Sequence, residues 1–105
     1  MIKTLRRLSL SGLIMAAGAF PFSSAATDDY TVELYDIYCT ACHAVKASGA
    51  PQAFTDDWRA RLNKGIDTLV NDAINGIGNM PPMGTCVECS ADDLKNIIHY
   101  MAQEQ

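Results

Sequence analysis

The chain has 105 residues, with twelve acidic against eight basic side chains and a formal charge of −4. So acidic a balance draws it neither to nucleic acid nor to anionic lipid. The length fits one small domain, and its apolar positions come in stripes with a single tryptophan, so the core is modest and needs a staple.

Lys3, Arg6 and Arg7 open the chain, and Leu8 to Phe22 is mostly apolar, interrupted by Ser9, Ser11, Gly12, Gly18 and Pro21. Ser23-Ser24-Ala25-Ala26 follows with small side chains. That order predicts a secretory signal peptide over residues 1–26, cut near Ala25 or Ala26. The apolar stretch is too short and too broken for a comfortable membrane span, and an uncleaved amphipathic anchor is the alternative. Residues 27–105 then form a single domain with five basic and twelve acidic side chains, a net of −7. All four cysteines lie in that part. In an oxidising compartment they are expected as disulfides or in covalently modified form.

Leu34, Ile37, Tyr38 and Ala41 recur at i, i+3, i+4 and i+7, predicting a first helix from about Asp29 to Cys42. It delivers Cys39-Thr40-Ala41-Cys42-His43. The pattern C-x-x-C-H reads as a c-type haem attachment site. Two thiols three positions apart share nearly one helix face, where they can form thioethers to the two vinyl groups on one porphyrin edge. The adjacent imidazole is a candidate proximal iron ligand. A C-x-x-C alone is also compatible with half a zinc site or a thioredoxin-like dithiol. Cys86 and Cys89 form a second pair, but 43 residues stand between Cys42 and Cys86. A zinc ribbon usually leaves about 15–20. Ser90 and not histidine follows Cys89, so no second haem is expected there.

Residues 46–53 form a loop containing glycine and proline, K-A-S-G-A-P-Q-A. Thr55 then has the character of an N-cap, Asp56 and Asp57 face the positive helix end, and Lys64-Gly65 closes a short helix. Ile66, Leu69, Val70, Ala73 and Ile74 mark another helix between Gly65 and Gly76. Residues 76–84, G-I-G-N-M-P-P-M-G, read as a loop in which Met80-Pro81-Pro82 is stiff and extended. A thioether on such a loop suits a distal iron ligand. Ser90-Ala91-Asp92-Asp93 opens the last helix as a capping box with Asp93 in place of glutamate, and Leu94, Ile97, Ile98, Met101 and Ala102 are its buried stripe. His99 falls off that stripe and is expected to face solvent. With no alternating strand pattern of useful length, the prediction is an all-α domain.

The order of leader, C-T-A-C-H, G-A-P, W-x-x-R-x-x-x-G, M-P-P-x-G and C-x-x-C resembles the cytochrome c5 family of small class I cytochromes c, from about Tyr30 to Met101. The resemblance implies a class I cytochrome c fold, four or so short helices packed around one covalently bound haem c. It implies attachment through Cys39 and Cys42, with His43 as proximal and Met80 as distal iron ligand. It implies that the Pro51 carbonyl accepts from the other ring nitrogen of His43, and that Trp58 and Arg61 donate to a haem propionate. It also implies a disulfide between Cys86 and Cys89, which would pin the methionine loop to the last helix. Met83 departs from the family pattern, where a polar residue is frequent, and its expected place is an exposed or rim position.

Three function classes follow. The first is a soluble, monomeric, periplasmic bacterial electron carrier with His/Met ligation, exchanging single electrons with partners such as respiratory reductases or terminal oxidases. The second is a haem enzyme or gas sensor with a displaceable distal methionine, which would need an open sixth position and a polar pocket. The third is a disulfide oxidoreductase using Cys86 and Cys89, which would normally sit in a βαβ context.

Overall fold

A computed structural model describes residues 27–104, together with Gly12 and Gly18. The leader expected over residues 1–26 otherwise lies outside the described residues. Helix α1, Asp29–Tyr38, starts where the Asp28 carboxylate accepts from the Thr31 amide at 2.7 Å. That bond satisfies one of the orphan donors of the first turn. Thr31, Leu34 and Tyr35 are buried.

The predicted single helix from Asp29 to Cys42 is in fact two. Cys39 sits at φ −108°, and the Asp36 carbonyl accepts from the Thr40 hydroxyl at 2.8 Å. Such back-bonding bends helices. A new short helix α2, Thr40–His43, follows, with the His43 amide donating to the Cys39 carbonyl at 2.8 Å. The buried stripe of α1 is therefore Thr31–Leu34–Tyr35, with Tyr38 partly buried, and Ile37 stands outside it at 60% exposure. Ala41 is also exposed.

A short 3-10 turn over Lys46–Ser48 leads through Pro51 to Thr55, whose hydroxyl accepts from the Asp57 amide at 3.3 Å as the N-cap the sequence predicts. The 3-10 turn Asp56–Trp58 runs on into helix α3, Arg59–Leu62. Helix α4, Ile66–Asn75, lies between Gly65 and Gly76 and buries Leu69 and Ala73. Helix α5, Ala91–Met101, opens with the full capping box: Asp93 N donates to Ser90 Oγ at 3.0 Å, and Ser90 N to Asp93 Oδ2 at 2.8 Å. His99 is exposed.

Helix α5 is the centre of the fold, packing against both α1 and α4. Its Leu94, Ile97, Ile98 and Met101 are buried with Leu34, Tyr35, Trp58, Leu69 and Ala73. Tyr35, Phe54 and Tyr100 meet edge-on with ring centroids 4.9 to 5.8 Å apart. The Phe54 amide donates to the Met101 carbonyl at 2.7 Å, fastening the loop after Pro51 to the end of α5. Arg59 and Glu104 form a forked ion pair at 2.6 and 2.7 Å between α3 and the segment after α5. Being exposed, it contributes little. The Cys86 and Cys89 sulfurs lie within bonding distance of each other, and both residues are buried just ahead of α5. Among the described residues there is no strand, and no helix is long and apolar enough to cross a membrane. The described residues are thus all-α, as the sequence predicts.

Candidate functional site

The helices do not close on one another. They surround a cavity of about 550 Å³, within the ~300–1,000 Å³ range of small-molecule and cofactor sites. Leu69 and Ala73 of α4 and Leu94, Ile97 and Met101 of α5 give it apolar walls. Cys39, Cys42 and His43 reach it from the break between α1 and α2, and Met80 and Met83 from the loop before Cys86. Arg61 and Lys64 are exposed cations on its lining. Neither Cys86 nor Cys89 borders it, so the cysteine pair at the cavity is the one followed by histidine.

The cysteines of that pair have different surroundings. Cys39 is half-buried and Cys42 exposed. Burial, and after it the neighbouring Cys42 thiol, pushes the Cys39 thiol up to about 11. Unlinked, it therefore stays protonated near neutrality.

The His43 ring is buried and oriented. Its Nδ1–H donates to the Pro51 carbonyl at 2.8 Å, the bond the family resemblance implies. Donation at Nδ1 leaves the Nε2 lone pair free for a metal. The Trp58 ring lies roughly parallel to it at 5.8 Å. Trp58, expected to donate to a propionate, has its indole N–H turned to the backbone here. Its only donor, Nε1–H, goes to the Gln52 carbonyl at 3.0 Å, and the indole is buried. Arg61 donates Nη1–H to the Asp57 carbonyl at 2.7 Å. Its other guanidinium donors remain available to a carboxylate. Lys64, one turn on, is a second cation there, which the sequence marks only as the charge closing its helix.

The methionine loop is tightly organised around Met80. The Met80 amide donates to the Ile77 carbonyl at 2.9 Å, closing a turn. Gly76 lies at φ +82°, and a Cβ there would come within 2.8 Å of the Met80 carbonyl oxygen. Gly84 lies at φ +55°, and a Cβ there would approach the Met80 methyl to 3.2 Å. At Gly76 the clash would be with backbone, so only glycine fits there, whereas at Gly84 a Cβ would press on the flexible end of the Met80 side chain. Pro81 is extended, at φ −68° and ψ 158°, as the sequence predicts. Pro82 is not, because it starts a 3-10 turn in which the Gly84 amide donates to the Pro81 carbonyl at 2.9 Å. Met83 and Thr85, at φ +62° and +69°, flank Gly84 in the left-handed region. That reversal folds the chain back, so Met83 is a partly buried cavity residue and not the exposed or rim residue expected.

Apolar walls, two thiols, a free imidazole nitrogen, two thioethers and two cations make a set that fits a covalently attached haem. The protein-family model described as cytochrome C oxidase, cbb3-type, subunit III matches residues 27–101. Cytochrome c5 of Ectopseudomonas mendocina is 41% identical over 68 residues, which cover 62% of this chain and 78% of the relative. The chain belongs to the cytochrome c5 family. Among solved structures, a mono-haem ferrocytochrome c from Shewanella putrefaciens is 38% identical with a TM-score of 0.62, covering 71% of this chain and 94% of its own. A cytochrome c solved in an electron transfer complex with nitrite reductase is 30% identical with a TM-score of 0.64, covering 71% and 93%. This member of the cytochrome c5 family accordingly carries one covalently bound haem c and is an electron carrier, not an enzyme.

Proposed function

We propose that this cytochrome is a soluble, monomeric, periplasmic shuttle, exported by residues 1–26, in which His43 Nε2 and the Met80 sulfur take the two axial positions of the haem iron. The haem supplies a one-electron ferrous/ferric couple when bound. The observation that carries the reading is the Nδ1–H···O bond from buried His43 to Pro51 at 2.8 Å, in the cavity that Cys39, Cys42 and Met80 also line. That bond fixes the ring and makes it a stronger donor. Cys39 and Cys42 hold the group covalently, Arg61 and Lys64 balance its carboxylates, and the walls from α4 and α5 exclude water. A protein ligand on each side leaves no open position for an enzyme or gas sensor.

The relative solved with nitrite reductase supports a reductase as the class of partner. A carrier with a net charge of −7 suits a basic partner surface, met through the small, quickly released contact usual between redox proteins. The visible spectrum tests the ligation. A c-type α-band in the reduced protein, with the weak far-red ferric band of iron–thioether bonding, is the expected result. A high-spin ferric spectrum sinks it.

The Cys86–Cys89 disulfide belongs to the same proposal, as the clamp that holds the methionine loop to α5. Its ring is very small, so its stabilisation falls at the low end of ~2–4 kcal/mol. Cys86→Ser is expected to lower the melting temperature and loosen residues 76–84 while haem stays attached. Two reactive thiols titrated in the oxidised native protein would refute the disulfide.

A further inference from the structure

Gln52 follows Pro51 directly and has no role in the established electron transfer. Its side-chain amide Nε2 lies within hydrogen-bond distance of three backbone carbonyls: Ala50 at 2.9 Å, Cys42 at 3.1 Å and Val45 at 3.1 Å. Its backbone is held as firmly. The amide donates to Asp57 Oδ2 at 3.0 Å, and the carbonyl accepts from Thr55 Oγ1 at 2.7 Å and Trp58 Nε1 at 3.0 Å. On either side of it, the Pro51 carbonyl accepts from His43 Nδ1 and the Ala53 amide donates to the His43 carbonyl at 2.8 Å.

We propose that Gln52 is the positioning residue that sets the His43–Pro51 hydrogen bond and, through it, how strongly His43 favours ferric iron. The proposal rests on the reading of His43 as an iron ligand. The geometry supports it because, between the end of α2 at His43 and Pro51, the chain has only the 3-10 turn Lys46–Ser48. Outside that turn it is held by the Val45 amide on the Cys42 carbonyl at 3.3 Å, the Ala53 amide on the His43 carbonyl and the Ser48 hydroxyl on the Cys42 carbonyl at 2.6 Å. The Gln52 side-chain amide holds it too, and alone reaches Cys42, Val45 and Ala50 together. Without the Gln52 donors, the Pro51 carbonyl is anchored through the Ser48 hydroxyl and its neighbours' backbone, with nothing linking Ala50 to Cys42 and Val45 at once. A longer or misdirected Nδ1–H···O bond makes the imidazole a weaker donor. A weaker donor stabilises ferric iron less, so the potential rises.

Gln52→Met tests this, because it keeps side-chain length and bulk and removes the donors. Thr55→Ala is the control: it weakens the same loop by taking away the hydroxyl bonds to the Gln52 carbonyl and the Asp57 amide, but spares the Gln52 side chain. In Gln52→Met, the His43 Nδ1–H should exchange with solvent at least tenfold faster. At fixed ambient potential the ferrous-to-ferric ratio should rise about threefold, equivalent to roughly 30 mV for one electron. Thr55→Ala should lower stability and leave both readouts near wild type. Hyperfine-shifted His43 ring signals in the wild-type ferric protein establish the ligand independently, and their absence overturns the proposal together with the ligand reading. If those signals are present and Gln52→Met changes neither readout, or Thr55→Ala changes both equally, the role of Gln52 alone is overturned.

Discussion

Cys39→Ala combined with Cys42→Ala is expected to yield a haem-free chain that does not fold cooperatively. The reason is the cavity of about 550 Å³ around which the helices are arranged. At ~24 cal/mol per Å³, an empty void of that size costs up to about 13 kcal/mol. Exposed residues such as Ile77 and Lys64 border it, so water reduces the figure. Even a third of it would rival the ~4–12 kcal/mol expected for a domain of this length. No helix can compensate: α2 and α3 have four residues each, and the longest, α5, has eleven. Helices below about 12–15 residues are marginal without packing. Far-UV circular dichroism and thermal melts of the purified double variant decide it. A sharp melting transition in the haem-free protein would refute the expectation.

Met80→Ala should open the sixth coordination position, lower the potential and let cyanide or carbon monoxide bind readily. Loss of a soft thioether favours ferric iron, and axial ligands and surroundings together move haem potentials across about 0.8 V. Met83→Ala should change these properties little. The basis is the way the loop is built: Gly76 leaves room for the Met80 carbonyl, Gly84 lies against the Met80 methyl, and the Met80 amide is tied to Ile77. Met83 has no such fitted place, although the left-handed turn brings it to the same cavity. Ligand-binding titrations and potentials of both variants decide the assignment, and the reverse ranking sinks it. Should Met83 replace the lost ligand, Met80→Ala would resist carbon monoxide and only the double variant would bind it.

The parts of the fold that rest on neighbours in sequence were legible there. The Ser90–Asp93 capping box joins residues three apart, and Gly65 and Gly76 bound α4 because each supplies a backbone angle that other residues avoid. Cys39, Cys42 and His43 form a pattern whose spacing is itself the chemistry. What escaped depends on competition or on distant partners. Periodicity carried the first helix through Cys39, where the Thr40 hydroxyl takes the Asp36 carbonyl and breaks it. Two prolines predict a stiff, extended Met80-Pro81-Pro82, yet Pro82 starts a 3-10 turn and Met83 and Thr85 adopt the left-handed angles that reverse the chain after it. The bond from the Trp58 indole N–H to the Gln52 carbonyl joins residues six apart through a backbone acceptor, which no motif marks. Gln52 binds carbonyls, which every residue carries, so no spacing marks it.

The bond from the Phe54 amide to the Met101 carbonyl has a consequence for the order in which the molecule is completed. It is among the contacts that close the loop bearing Pro51, and its acceptor lies at the far end of α5. A chain is synthesised from its N-terminus, so among the described helices α5 is made after the other four. Until then Cys39 and Cys42 belong to a half-built domain lacking the wall that Leu94, Ile97 and Met101 provide. The cavity is thus open on that side until α5 docks, and the docking of this helix is the step that closes it.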